Sequence, residues 1–444
     1  MKNLCLLSIV LFFVQPLKAQ WTVDHLSIAR CFPGAVTVQN KVYIAGGYIN
    51  NSPGVMSKRI DIYDNSTGTW SIDSLSSPRG DVGCAYLNNK IFFAGGTTNA
   101  FGSAKEVDIY NLLTSSWSVD SLQTFQASAV PVVINHRILF AGGIATGGVG
   151  VTKIISVYDD STGLWSKDSL SIGRFGLAGA AIGNIAVFAG GYTNTTNYTT
   201  INRVDIYNSL TGTWTTSTLS QARGNISVIA NGTKIYFAGG LTSVSTKVLS
   251  NKVDIYDVVT STWTTATLSQ ARRNVAVATV GNKIYFASGE QNFSSNTPSN
   301  RVDIYNVSTS QWSTDTLSVP HDAAIGASVG SKIMIAGGGS YSTNSFSNVV
   351  DIFDTTNANG INESSVKNCF TVWPNPVNDK LNISFDENSI VGTINIFAIN
   401  GQKQSEIKLT ENKMVIDVST LSNGIYFLKF VNGSTVEIKK IVKG

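Results

Sequence analysis

Few side chains in this chain could do chemistry. Its three histidines are His25, His136 and His321, and no pair of them has metal-ligand spacing. Its four cysteines, Cys5, Cys31, Cys84 and Cys369, are scattered and form no close-spaced framework, so they read as small buried apolar residues. No serine elbow, phosphate-cradling loop or paired-carboxylate motif stands out. No metal and no cofactor is therefore expected, and no catalytic residue can be assigned. Between Trp21 and Asp354 the glutamates are Glu106 and Glu290. Glu106 precedes a strand-like run and reads as an exposed charge. Glu290 directly follows an irregular Ser288-Gly289 and is the better functional candidate.

Other candidates stand beside a recurrent turn. It reads LSIAR, LSSPR, LQTFQ, LSIGR, LSQAR, LSQAR and LSVPH, so Arg30, Arg79, Arg174, Arg223 and Arg272 recur, with Gln126 and His321 in the other two places. Recurrence of this kind suits scaffolding, with arginine bridging repeats or capping carbonyls. Residues that break the repeat make better ligand candidates: Phe32, Asp81, Phe175, Arg273, Asn274 and Asp322, with His321 at the exceptional turn. Tyr48, Tyr192, Glu290 and Gln291 lie in a second set of loops. Tyr and Phe among Asn, Ser and Thr suit a glycan or a peptide. Ordinary solvated loops with scattered aromatics would look the same.

The elements that hold these loops form a repeat, typified by Lys234 to Trp263. An apolar strand ends in Gly-Gly or its counterpart at Gly46-Gly47, Gly95-Gly96, Gly142-Gly143, Gly190-Gly191, Gly239-Gly240, Ser288-Gly289 and Gly337-Gly338. The spacings are 49, 47, 48, 49, 49 and 49 residues, a period that marks a radial array of small sheets. Each repeat divides into four strand-like pieces. The first is rich in small residues, as in Gly176 to Gly183, and suits a crowded axis. The second is apolar on both faces, and the fourth opens on a tryptophan. A turn rich in Asp, Asn, Ser, Thr and Gly joins the last two pieces. Six Tyr–Trp pairs, from Tyr63 with Trp70 to Tyr305 with Trp312, stand seven residues apart, as a hairpin with both rings on one side requires. They are expected to pack over or beside the Gly-Gly. The seventh repeat has Phe353 but no tryptophan seven residues later. Gln20–Ser27 matches the outer strand Gln311–Ser318, so the N-terminal strand is expected to complete the last sheet and close the ring.

These residues resemble the Kelch-repeat β-propeller family over Trp21 to Asp354, about three quarters of the chain. The departures are Ser288 and the missing seventh tryptophan. The resemblance implies an all-β, seven-bladed propeller closed by the N-terminal strand. It also implies that ligands meet the face formed by loops entering the first strand and leaving the second. Some Kelch-like propellers are copper oxidases, but their Tyr–Cys cross-link and histidine pair cannot be matched here.

A polar stretch, residues 355–369, reads as a linker. Residues 370–444 then carry Trp373-Pro374-Asn375-Pro376, five or more short strands and a basic end at Lys439, Lys440 and Lys443. They suggest a small β-sandwich. They resemble the C-terminal sorting domain of the type IX secretion system, which implies handling by that machinery, an outer-membrane export route and a Bacteroidetes source. Residues 1–19, with Lys2, an apolar run from Leu4 to Val14 and Ala19, read as a secretory signal peptide, too short to span a bilayer. Residues 20–354 are then the propeller.

Charged residues make up only 14% of the chain, and the formal net charge of +4 includes Lys2 and Lys18. Without a basic run, nucleic acid is an improbable partner. The expected protein is a secreted or surface-bound monomer without a transmembrane segment, binding a protein or a glycan on one propeller face. A carbohydrate-active enzyme, an oxidase or a sugar epimerase, is the alternative, and a passive coat protein a third. Asp-Ser/Thr-Leu triplets, as at Asp73–Leu75, read as outer-strand ends with a buried leucine. Glycosylation of them is the other reading.

Overall fold

The computed structural model describes residues 21–50, 54–148, 150–340, 343–356, 370–385, 392–399, 401–432 and 435–444. The expected signal peptide and nearly all of the expected linker lie outside these residues. The chain divides into two compact units, one ending at Asn359 and one starting at Gly360.

In the first unit the repeat becomes an antiparallel sheet. The unit around Lys234 gives Ser227–Asn231, Lys234–Ala238, Lys252–Asp257 and Thr262–Thr267, hydrogen-bonded in that order. The second strand, KIYFA, is buried at four of its five residues, because neighbouring sheets cover both of its faces. The outer strand, TWTTAT, is half-exposed and threonine-rich. Among the described residues, seven sheets contain such a four-strand ladder. The first, small-residue strand of each sheet touches its counterparts in the sheets on either side, and Gly34–Val38 of the first meets Ile325–Val329 of the last. Thr22–His25 pairs with Val349–Asp354 as the outer strand of that last sheet. Trp21 lies 5.2 Å from Phe353, and its indole N–H donates to Asp315 Oδ2 at 3.1 Å. The fold is an all-β propeller.

The Tyr–Trp pairs stand directly opposite each other in register, as at Tyr256 and Trp263, with ring centroids 4.8–5.2 Å apart. The Gly-Gly serves a different purpose from the expected ring contact. A Cβ on Gly239 would lie 2.3 Å from the carbonyl oxygen of Arg272 in the next turn, and one on Gly46 would lie 2.2 Å from that of Arg79. The second glycine donates its N–H to that same carbonyl in every repeat, including Gly338 to Arg30 at 2.8 Å. The dipeptide is therefore the seam between blades. Its glycines let the next backbone approach, and their left-handed φ, 66° and 107° at Gly239 and Gly240, aims the N–H across the gap.

Behind the seam lies a shell of buried arginines. Arg30, Arg79, Arg174, Arg223 and Arg272 are fully buried and pair with Asp61, Asp108, Asp205, Asp254 and Asp303 of the third strands. Arg30–Asp61 is 2.6 Å and Arg174–Asp205 is 2.7 Å. Arg223 also donates to the carbonyls of Gly239 and Lys252, which ties the second strand to the third. The other carboxylate oxygen accepts a backbone N–H from the preceding turn, as from Ser220 to Asp254. In the third blade both partners change together: Gln126 stands for Arg, and Ser156 for Asp, with Ser156 Oγ donating to Gln126 Oε1 at 2.6 Å. In the seventh, His321 is fully buried between Gly337 O and Asp351.

The second unit is a β-sandwich of a three-stranded sheet, Phe370–Trp373, Lys380–Phe385 and Lys413–Asp417, and a four-stranded sheet. The latter orders Lys403–Lys408, Thr393–Ala398, Gly424–Asn432 and Thr435–Lys443. Phe370, Leu381, Ile383, Ile394, Leu428 and Ile441 lie in its core.

Candidate functional site

Two residues beyond each scaffold position the chain turns left-handed. Phe32, Asp81, Ser128, Gly176, Asn225, Asn274 and Ala323 have φ of 49°, 50°, 56°, 59°, 51°, 50° and 53°. Asn, Asp and Gly tolerate this region, whereas Phe and Ala are strained in it. The turn aims the backbone N–H at the previous blade: Phe32 donates to Ala323 O at 2.9 Å, Asp81 to Phe32 O at 3.2 Å and Asn225 to Gly176 O at 2.8 Å. The seven residues thus form a ring around the axis, at the loops that enter the first strands.

The residue between scaffold and ring bridges to the residue after each Gly-Gly. These pairs include Cys31 with Tyr48, Phe175 with Tyr192 and Arg273 with Glu290. Arg273 and Glu290 thus form a cross-strand ion pair where the fourth blade places the rings of Phe175 and Tyr192. The Arg273 guanidinium also lies 4.3 Å from the centroid of Phe293.

A cavity of about 390 Å³ opens at the ring, lined by Phe32, Tyr48, Asp81, Phe175, Arg273 and Asn274 among others. A smaller one of about 180 Å³ adjoins it at Phe32, Asp81, Asn274 and Ala323. One wall is aromatic, with Phe175 5.1 Å from Tyr192 and 5.6 Å from Tyr198. The polar groups form two sets. Asp81 Oδ2 accepts from Tyr48 Oη at 2.7 Å and from Thr97 Oγ1 at 3.2 Å. Across the mouth, Asn225 Nδ2 donates to Asn274 Oδ1 at 3.0 Å, and Asn274 Nδ2 to Asp322 Oδ1 at 3.1 Å.

Burial raises the pKa of every acid here. It lifts Asp322 to about 7, helped by the nearby charge of Glu290 and opposed by Arg273. Burial also raises Asp81 and Glu290, against hydrogen bonds from Tyr48 and Thr97 in the first case and the charge of Arg273 in the second. Among the described residues, no group of three or more His, Cys, Asp or Glu could hold a metal ion.

Of the candidates from sequence, Phe32, Tyr48, Asp81, Phe175, Arg273 and Asn274 line the one cavity. Asp322, Glu290 and Tyr192 are buried beside these residues. His321 belongs to the scaffold, because its ring fills the place of an arginine and is fully enclosed. Gln291 is bonded to Gln270 and to Pro298 O, away from the cavity lining. Sequence reasoning missed Ser128, Gly176, Asn225 and Tyr198, which also line it. A fixed offset of two residues from the recurrent arginine, or from Gln126 in its place, would have found the first three. Tyr198 stands in a loop peculiar to one repeat and left no signal.

Comparison with known families matches the Kelch motif at residues 29–72, 222–267 and 271–314. It also matches the secretion system C-terminal sorting domain at residues 371–444. The chain carries Kelch motifs and a type IX sorting tail. The tail supports export to the cell surface or the medium. No curated protein matches. Among solved structures, one titled "Structure of YjhT" matches with a TM-score of 0.51 and 14% identity, covering 66% of this chain and 99% of that one. At that identity the likeness shows the fold alone. No helix among the described residues is long and apolar enough to cross a membrane.

Proposed function

We propose that this Kelch protein is an exported binding module that holds a protein or a glycan at the mouth of its ring. In this reading residues 1–19 direct export and are removed, residues 20–354 form a seven-bladed propeller closed by the N-terminal strand, and residues 370–444 serve type IX secretion. One observation carries the binding role. Seven equivalent ring positions share one backbone conformation yet hold six kinds of side chain, six of the positions lining the larger cavity and Ala323 the smaller one beside it. A site under no chemical demand has no reason to depart from the repeat so thoroughly there. A screen of the isolated propeller against glycans and the secreted proteome of its source organism tests this. Saturable binding that competes with blockage of the mouth supports it, and an absence of any ligand sinks it. Export is tested separately: a chain lacking residues 370–444 should stay folded in the periplasm.

A second reading, a carbohydrate-active enzyme, draws on the buried cluster of Arg273, Glu290 and Asp322, whose acids resist ionisation. Turnover of a glycan that is lost in Glu290→Gln would favour it over binding alone.

A further inference from the structure

We infer that the mouth receives a neutral, hydroxyl-rich sugar unit, a deepening that rests on the binding role proposed above. Asn225 donates one of its two amide N–H groups to Asn274, and Asn274 donates one of its own to Asp322, so the relay runs one way along the ring. Its start leaves the Asn225 carbonyl oxygen as the polar atom beside Gly176, where a Cβ would come within 3.4 Å of it. Both Asn225 and Gly176 line the cavity. Asp81, another lining residue, is an acceptor as well. The mouth therefore offers acceptors from two sides and asks for a ligand rich in donors.

Charge decides which donors. An anion would need an unpaired cation among the lining residues. A cation would meet Arg273, and would need carboxyl groups that burial pushes toward the neutral form. The one strong cation is already paired with Glu290. Hydroxyl groups donate to acceptors without bringing charge into a partly dry site. Phe175 and Tyr198, 5.6 Å apart, supply the apolar wall on which the C–H face of a sugar ring rests. A volume of about 390 Å³ lies within the range of small-ligand sites, roughly 300–1,000 Å³.

Two substitutions read out the site while keeping the backbone. Asn225 and Tyr198 have φ of 51° and 49°, so Asn225→Gly and Tyr198→Gly each leave a residue that adopts the turn readily. Tyr198 is 40% exposed and outside the buried core, although its ring rests against Phe175 and Tyr192. The full mature chain and both variants are titrated calorimetrically with neutral gluco-, manno- and galacto-oligosaccharides. Glucosamine oligomers and uronate oligomers serve as the cationic and anionic arms. The expected result is saturable binding of a neutral series that is insensitive to salt. Each variant should weaken it about tenfold, the effect of losing one buried hydrogen bond or one stacked ring, with an unchanged melting temperature. Binding of only the charged oligomers overturns the inference, as does full affinity in both variants. A secreted protein that binds and is not displaced by any neutral sugar also overturns it, yet leaves the binding role standing. Absence of every ligand removes both.

Discussion

Two rings of residues run through this propeller only two positions apart in sequence, and they have opposite characters. The inner shell, Arg30, Arg79, Gln126, Arg174, Arg223, Arg272 and His321, is fully buried and nearly uniform. The mouth ring, from Phe32 to Ala323, shares one backbone conformation and almost no chemistry. The shell must satisfy the same carbonyls and one buried third-strand side chain in every blade, so its side chains are dictated by the fold. The mouth needs only a left-handed turn and an N–H aimed at the neighbour, so its side chains are open to other demands. Where the shell does vary, its third-strand partner still answers it: Gln126 comes with Ser156 in place of arginine with aspartate, and His321 bonds to the retained Asp351. Where the mouth varies, its side-chain bonds, such as Asn225 to Asn274, follow no common pattern from blade to blade. In a repeat protein, uniformity marks the scaffold, and variation on a fixed backbone marks the surface that meets a ligand.

The largest effect expected on the scaffold side comes from the chain's start. Deleting residues 20–26 removes Trp21 and Leu26, both buried, and exposes the edge of Val349–Asp354. Loss of two such side chains should cost about 5 kcal/mol or more, read as a large fall in melting temperature. An unchanged melting temperature would refute closure of the ring by this strand. Next comes the shell. Asp254→Ala leaves Arg223 buried without its partner and should cost roughly 3–5 kcal/mol in denaturant unfolding. The double change Arg223→Gln with Asp254→Ser copies the third blade and should cost much less than the single one. If the double variant is as unstable as Asp254→Ala, the paired exchange at Gln126 and Ser156 has another cause.

The mouth yields a smaller effect that depends on pH. Burial holds the Asp322 carboxyl at about 7, above the ordinary value of 3.8. The folded chain therefore keeps a proton that the unfolded chain has released, and stability falls as pH rises from about 4 to about 7. Asp322→Asn keeps an oxygen for Asn274 Nδ2 and removes the titration. The variant should match the wild type near pH 4 and exceed it above pH 7, by up to about 4 kcal/mol. An equal offset at both pH values would mean that Asp322 ionises freely.

The same contrast explains what could be read in advance. The Tyr–Trp spacing is a contact within one sheet that a hairpin register carries directly in sequence, and the period and the match of Trp21 to the outer strands repeat that local pattern. The Gly-Gly was legible as a position but not in its role. Its partner is the carbonyl of Arg272 or Arg79, more than thirty residues on and in another sheet. The arginines read as scaffold for a sound reason, yet their aspartates lie about 30 residues downstream, beyond any local pattern. The Ser288-Gly289 break proved less irregular than its composition suggests, because Ser288 takes φ 60° like the glycines it replaces. Its neighbour Glu290 matters through its place opposite Arg273. At the mouth, Asn225 escaped notice because it sits in a repeat that otherwise matches the consensus of its neighbours.

The finest test sets two left-handed residues against each other. Ala323, with φ 53°, belongs to the mouth, and Gly239, with φ 66°, to the seam. Ala323→Gly relieves left-handed strain of about 1–2 kcal/mol, and the added freedom of the unfolded chain offsets about 0.4–1 kcal/mol of that. A net change between about zero and about 1.6 kcal/mol, toward greater stability, is expected. Gly239→Ala adds the same strain and also drives a Cβ to 2.3 Å from the Arg272 carbonyl, which is itself held by the N–H of Gly240. The blades must part to admit it, so its cost should exceed that of the strain alone, at roughly 2–3 kcal/mol or above. Equal and opposite changes in the two variants would mean that backbone strain governs both positions. The seam would then lose its claim to be a packing contact, and the distinction between scaffold and mouth would rest on side chains alone.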